Sequence, residues 1–122
     1  MEIKFRVWDK INKEYSKLLV FDTESSGVVL SGGKYGRHSA LKENVIIEQY
    51  IGLPDKNGKE IYKGDIVRKG NTYGVVCFCE KNASYYVKFG RFNFFFGFDV
   101  DHSDIDIIGT ENEDTELLTN ET

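Results

Sequence analysis

The chain has 122 residues, 40% hydrophobic and 14% aromatic, enough for one compact domain that buries about two-thirds of its unfolded surface without disulfides or a metal. No apolar run reaches membrane-spanning length and the N-terminus alternates instead of staying apolar, so neither a signal peptide nor a membrane span is expected and the cytosol is the expected location. The net charge of -4 is unevenly spread: residues 1–98 hold all 16 Lys and Arg against 11 acids, whereas residues 99–122 hold nine acids and no base. Two readings fit that asymmetry, a basic binding face joined to a contact-making acidic tail, or a soluble domain with a ragged acidic end.

In chain order, Ile3-Lys4-Phe5-Arg6-Val7-Trp8 alternates with Ile3, Phe5 and Val7 on one face, which predicts a strand. Turn residues at 9–14 and a β-prone run at 15–21 make it a hairpin. After a break at 22–27, Val28-Val29-Leu30 reads as a short strand. The Gly-, Ser- and Lys-rich stretch 31–44 has no period and predicts a mobile loop with one helical turn near Ala40-Leu41. Residues 45–51 resume as a strand, and Asn57-Gly58 predicts a type I′ turn, which needs positive φ at both positions.

Further strands are expected at 63–68, 73–78 and 85–98, joined by tight turns, with a last one at Ile105-Asp106-Ile107-Ile108 and a frayed end from Gly109 on. One proline, no convincing amphipathic helix and strands roughly every ten residues point to a β-barrel or sandwich. Gly64-Asp65-Ile66-Val67 followed by Gly74-Val75-Val76 resembles the opening strands of SH3-like barrels, where glycine marks a sharp bend. The expected architecture is all-β with few or no helices. An N-terminal β-meander over 1–50 packs as one unit with an SH3-like β-barrel over 51–110, and an acidic tail follows over 111–122.

No constellation for catalysis stands out. Cys77 and Cys79 form C-x-C inside an apolar stretch; a strand places their Cα atoms about 6.6 Å apart, near the upper edge of disulfide reach, so buried free thiols are expected. His38 and His102 lie in no motif and read as surface residues. Asp99, Asp101, Asp104 and Asp106 gather carboxylates but lack the spacing of a calcium loop, and read as a solvated acidic loop or as an edge strand protected from pairing. Gly32-Gly33 and Gly36 lack the strand and helix of a phosphate cradle. No cofactor, metal or catalytic residue is expected.

The aromatic stretch 88–98 draws most attention, because basic residues interleaved with strand aromatics are the material of single-strand nucleic-acid platforms. Strand alternation would send Phe92, Phe94, Phe96 and Phe98 to the core, and Phe89, Arg91, Asn93 and Phe95 to the other face. Candidate contact residues for a partner or a nucleic acid are therefore Arg68, Lys69, Lys88, Arg91 and Phe95.

Two segments carry a family resemblance: the start Ile3-Lys4-Phe5-Arg6-Val7-Trp8-Asp9, and the long motif Gln49-Tyr50-Ile51-Gly52-Leu53-Pro54-Asp55-Lys56-Asn57-Gly58-Lys59-Glu60-Ile61-Tyr62-Lys63-Gly64-Asp65-Ile66-Val67. Both resemble the YopX family of small phage- and prophage-encoded proteins. The family's ending carries an apolar pair and a proline that 105–118 lacks. The resemblance implies an all-β, barrel-containing protein working in the bacterial cytoplasm, and assigns no reaction or substrate.

The expected function is that of a non-enzymatic phage or prophage accessory protein that binds a host or phage protein and self-assembles as a homo-oligomer. The alternative is a nucleic-acid-binding module using the Lys, Arg and aromatic residues of the 85–98 strand, whose affinity would fall steeply with salt.

Overall fold

The computed structural model describes residues 3–119, and resolves them into two compact units, one of Ile3–Gln49 and one from Tyr50 onward. All named strands pair antiparallel, in two sheets, and helix is almost absent.

The first unit is a meander. Strands β1 (Phe5–Asp9), β2 (Glu14–Phe21), β3 (Gly27–Ser31) and β4 (His38–Leu41) follow one another, and the first half of β5 (Val45–Pro54) returns to pair β1, giving the order β4-β3-β2-β1-β5. Its core is small: Val7, Val28, Leu30 and Val45 are buried, with Leu18, Ala40 and Ile47 packed around them. A polar cluster supplements it on the cross-strand pair Arg6 and Glu48. Glu48 is 2% exposed and accepts from Arg6 Nε and the Tyr15 hydroxyl, both at 2.9 Å, while the Arg6 guanidinium lies 4.6 Å from the Tyr15 ring centroid. A buried carboxylate needs such partners, since alone it would cost several kcal/mol.

Stretch 31–44 departs from the sequence expectation. It contains β4 and a 3-10 turn at Lys42–Asn44 in place of a loop with a helical turn at Ala40-Leu41. Pairing with β3 in the register Gly27 to Leu41 and Leu30 to His38 imposes the strand, and local composition carries no trace of that tertiary effect.

In the second unit, β5 continues to pair β6 (Glu60–Tyr62), and β7 (Asp65–Lys69), β8 (Thr72–Cys79), β9 (Ser84–Phe89), β10 (Phe92–Phe95) and β11 (Asp106–Thr110) form a sheet ordered β10-β9-β8-β7-β11. Its core joins Ile51, Ile61, Val67, Val76, Val87, Phe89, Val100 and Ile105, with Leu53, Tyr85, Phe94, Phe96 and Ile107 against them. No closed barrel is found among the described residues, because the edge strands β10 and β11 do not pair with each other.

Turn chemistry sets these hairpins. Gly70 and Gly90 each take the first position of a two-residue loop at φ 62° and 61°, where type II′ turns place glycine. The Asn57-Gly58 turn is not type I′, since only Gly58 has positive φ; Gly58 N–H donates to Asp55 O and Asp55 N–H to Lys59 O, a type I turn closed by a glycine bulge. Gly74 is a close-approach position, where a Cβ would meet the Lys88 carbonyl at 2.6 Å.

The end of the chain is organised, not frayed, through residue 119. Gly109 and Thr110 complete β11, Asp114 accepts from Thr110 N–H, and a short helix, α1 (Thr115–Thr119), lies against β8 with Leu117 and Leu118 half-buried. The last three residues of the expected acidic tail lie outside the described residues.

Candidate functional site

Directly opposed residues of antiparallel strands share a face, so the register assigns each candidate a side. On the face away from the core, Lys88 sits between Val75 and Asn93, Cys77 opposes Tyr86, and Tyr86 opposes Phe95. Arg68 is on this face too, opposite Tyr73 and Asp106, and is held by Asp106 at 3.1 Å. Lys69, one residue on, points to the other side, and Arg91 occupies the second position of the β9–β10 loop. Three of the five candidates thus share a face on strands β7, β9 and β10. Arg68 and Lys88 stand two strand spacings apart across the sheet and two residues apart along it, roughly 12 Å. Phe95 stacks on Tyr86 with centroids 5.2 Å apart. The thiols are free but half-buried, and burial pushes the Cys77 thiol up, with the Tyr86 hydroxyl acting the other way.

The aromatic run does not keep one alternation. The Gly90-Arg91 loop resets it, so Phe89 is in the core with Phe94, ring centroids 5.4 Å apart, whereas Phe92, opposite Phe89 on the same face, is exposed. The strand ends at Phe95, and two residues on Gly97 adopts φ 88°. Phe98, expected inside, is 93% exposed.

The segment that presents Phe98 is tightly bonded. The Phe95 carbonyl accepts from the N–H groups of Phe98, Asp99 and Val100 at 3.2, 2.9 and 3.3 Å, and Asp99 Oδ2 accepts from Phe95 N–H at 3.0 Å. Because Phe96 N–H turns back to Tyr85 O on β9, these bonds use the groups that Phe95 directs to the open edge of β10. Val100, 3% exposed, anchors the return.

Beyond it, Asp101 caps a 3-10 turn at His102–Asp104. Ser103 N–H and then its hydroxyl hold the Asp101 carboxyl below its ordinary range. His102 Nδ1 lies 2.7 Å from Pro54 O and ties the loop to β5. An open cleft of about 580 Å³ results, lined by Phe96, Phe98, Asp99, Asp101 and Asp104 together with Lys69, Leu53 and His102. A second cleft of about 430 Å³, lined by Asn82, Ser84 and Phe95, shares Phe96, Phe98 and Asp99 with the first. Of the sequence candidates only Lys69 and Phe95 reach these clefts. The missed residue is Phe98, and its signal is Gly97, which breaks the strand before it.

The first unit holds a separate arrangement. Asp9, 2% exposed, accepts from Ile11 N–H and Asn12 N–H, both at 3.0 Å, and from Asn12 Nδ2 at 2.8 Å. His38 Nε2 lies 3.3 Å from Asp9 Oδ2 and its Nδ1 2.8 Å from Gly36 O. Both ring nitrogens face acceptors, which suits the imidazolium, and the Gly36 carbonyl and then Asp9 raise the His38 pKa. Burial works against the Asp9 carboxylate, yet the Asn12 N–H and His38 outweigh it and lower its pKa. His38 is therefore a strand residue with a carboxylate partner, not a surface histidine in a loop. A cleft of about 270 Å³ adjoins it. Among the described residues no group of three or more His, Cys, Asp and Glu gathers as a metal site, and no helix is long and apolar enough to cross a membrane.

Two antiparallel sheets with almost no helix, and a bonded loop that lifts an aromatic ring into solvent, define an all-β protein whose most distinctive surface is that loop. The family model described as YopX protein matches residues 4–119, and the chain belongs to the YopX family. By structure the chain is similar to protein EF1440 from Enterococcus faecalis, known from its crystal structure. Identity is 23%, the match covers 97% of this chain and 99% of that chain, and the TM-score is 0.61, a likeness of fold. No curated protein matches the chain.

Proposed function

We propose that this is a non-enzymatic phage or prophage accessory protein of the bacterial cytoplasm that acts by binding another protein through the loop 95–104. The observation that carries the reading is Phe98, 93% exposed at the tip of a turn whose bonds fix its position before any partner arrives. Exposed aromatics on preorganised backbone bind at low entropic cost, because little chain remains to be ordered. Self-assembly belongs to the same reading through a different surface, Phe92, which is exposed beside the β9–β10 turn. The SH3-like description belongs to it as well: Gly64-Asp65 opens β7, and Gly74 brings β8 against Val87 and Phe89 as the bend of a small barrel does.

The nucleic-acid alternative asks its cations to converge, and Arg68 is already committed to Asp106 while Lys69 lies on the opposite side. Affinity capture of the tagged protein from bacteria carrying its phage, with and without nuclease, tests the proposal. Protein partners should survive nuclease and be lost with Phe98→Ala, which should leave stability within about 0.5 kcal/mol of the parent. Recovery of DNA or RNA, with proteins released by nuclease, would instead establish the nucleic-acid module.

A further inference from the structure

Resting on the reading of loop 95–104 as the docking loop, we infer that its partner presents an arginine, seated in the acidic cleft that Phe98 lines, next to an apolar residue seated in the second cleft that Phe98 lines. The two clefts differ in the chemistry they offer. The larger has three carboxylates, Asp99, Asp101 and Asp104, against the single ammonium of Lys69, and the open Phe98 ring forms part of its wall. A cation is attracted both by carboxylates and by the face of an aromatic ring, and a guanidinium meets both demands: it stacks flat, sheds its hydration more readily than an ammonium and bonds carboxylates in pairs. The Ser103 N–H and hydroxyl favour the Asp101 carboxylate and hold its pKa below the ordinary value. The smaller cleft has Asp99 as its one charged lining residue, with Asn82 and Ser84, and is otherwise walled by Phe95, Phe96 and Phe98, which suits an aliphatic side chain.

Charge also decides between a foreign partner and a second copy. Two copies meeting through this loop would bring three carboxylates against three on a chain of net charge -4, and like charges placed together at an interface cost several kcal/mol. A partner with a basic patch gains where a second copy loses.

The test uses the full chain labelled with nitrogen-15 and two defined probes, acetyl-Gly-Arg-Leu-Gly-amide and acetyl-Gly-Glu-Leu-Gly-amide, titrated at millimolar concentration. The arginine peptide should shift the amides of residues 96–104 saturably, and the glutamate peptide should not. Asp104→Asn should weaken the arginine peptide about threefold or more, Phe98→Ala should weaken it further, and raised salt should weaken it as well. Equal shifts from both peptides would overturn the arginine assignment while leaving loop docking standing. No shifts from either would overturn the inference too, with loop docking then judged by the capture experiment alone. A dimer in sedimentation that Phe98→Ala dissolves would put a second copy in the clefts instead.

Discussion

The two units use the same device differently. Each builds a hairpin turn around a buried aspartate followed by lysine, Asp9 in the first unit and Asp55 in the second, and each carboxylate collects backbone N–H groups from its own turn. They part company at the second oxygen. That of Asp55 accepts the N–H of Ile107 at 3.1 Å, tying the β5–β6 turn to β11, whereas that of Asp9 meets Asn12 and the imidazole of His38. A backbone amide keeps its proton across the physiological range and an imidazole does not. One turn is therefore fixed at any ordinary pH, and the other is fastened by a group that titrates.

The largest effect should come from breaking the permanent fastening. Burial opposes the Asp55 carboxylate, but the N–H groups of Ile107, Lys59 and Asn57 outweigh it and lower its pKa. Asp55→Ala strands all three donors and should cost about 3 kcal/mol or more, read as faster amide exchange at Ile107 and an earlier urea midpoint. Exchange at Ile107 unchanged from the parent would show that water replaces the carboxylate without loss. Because the folded pKa of Asp55 lies below its ordinary 3.8, its contribution is present above that value and is lost as pH falls through the folded pKa.

A smaller loss should follow in the first unit. Asp9→Asn keeps one acceptor oxygen but removes the charge that faces His38, and should cost about 1–2 kcal/mol. Trp8, the chain's single tryptophan, lies in this unit and packs against Tyr15 with centroids 5.0 Å apart. Its urea transition should move while exchange at Ile107 stays where it was.

The smallest effect sharpens the contrast. His38 has a pKa raised above 6.5, so its contribution is complete below that pH and disappears as pH rises through the raised value. The Trp8 transition should shift to lower urea between slightly acid and slightly alkaline solution, and His38→Gln should flatten that dependence. A parent transition that does not move with pH over this window would show that the Asp9 turn is held by its backbone donors alone.

Much of the fold is legible in the sequence because turns are local. Asn57-Gly58 and Gly70-Asn71 mark hairpins by residues that tolerate the backbone required, Gly64-Asp65 marks the start of β7, and the motif 49–67 identifies the family. Strand β4 is not legible, since His38-Ser39-Ala40-Leu41 takes its conformation from β3, and α1 is too short to show a helical period. For the candidate site, nearness in sequence misleads. Arg68 and Lys69 are neighbours in the chain on opposite sides of a sheet, and Phe98 keeps its expected inward place only if the strand runs through Gly97, which it does not.

The stretch Phe92 to Phe98 has no charge and no proline and is almost wholly aromatic, the composition from which stacked fibrils grow when such a strand offers its backbone to another chain. The open side of β10 is where that offer would be made. There the Phe95 carbonyl and N–H are already taken by Phe98, Asp99 and Val100. The turn that displays Phe98 thereby also occupies the place on that edge where Phe95 would offer its backbone to another chain.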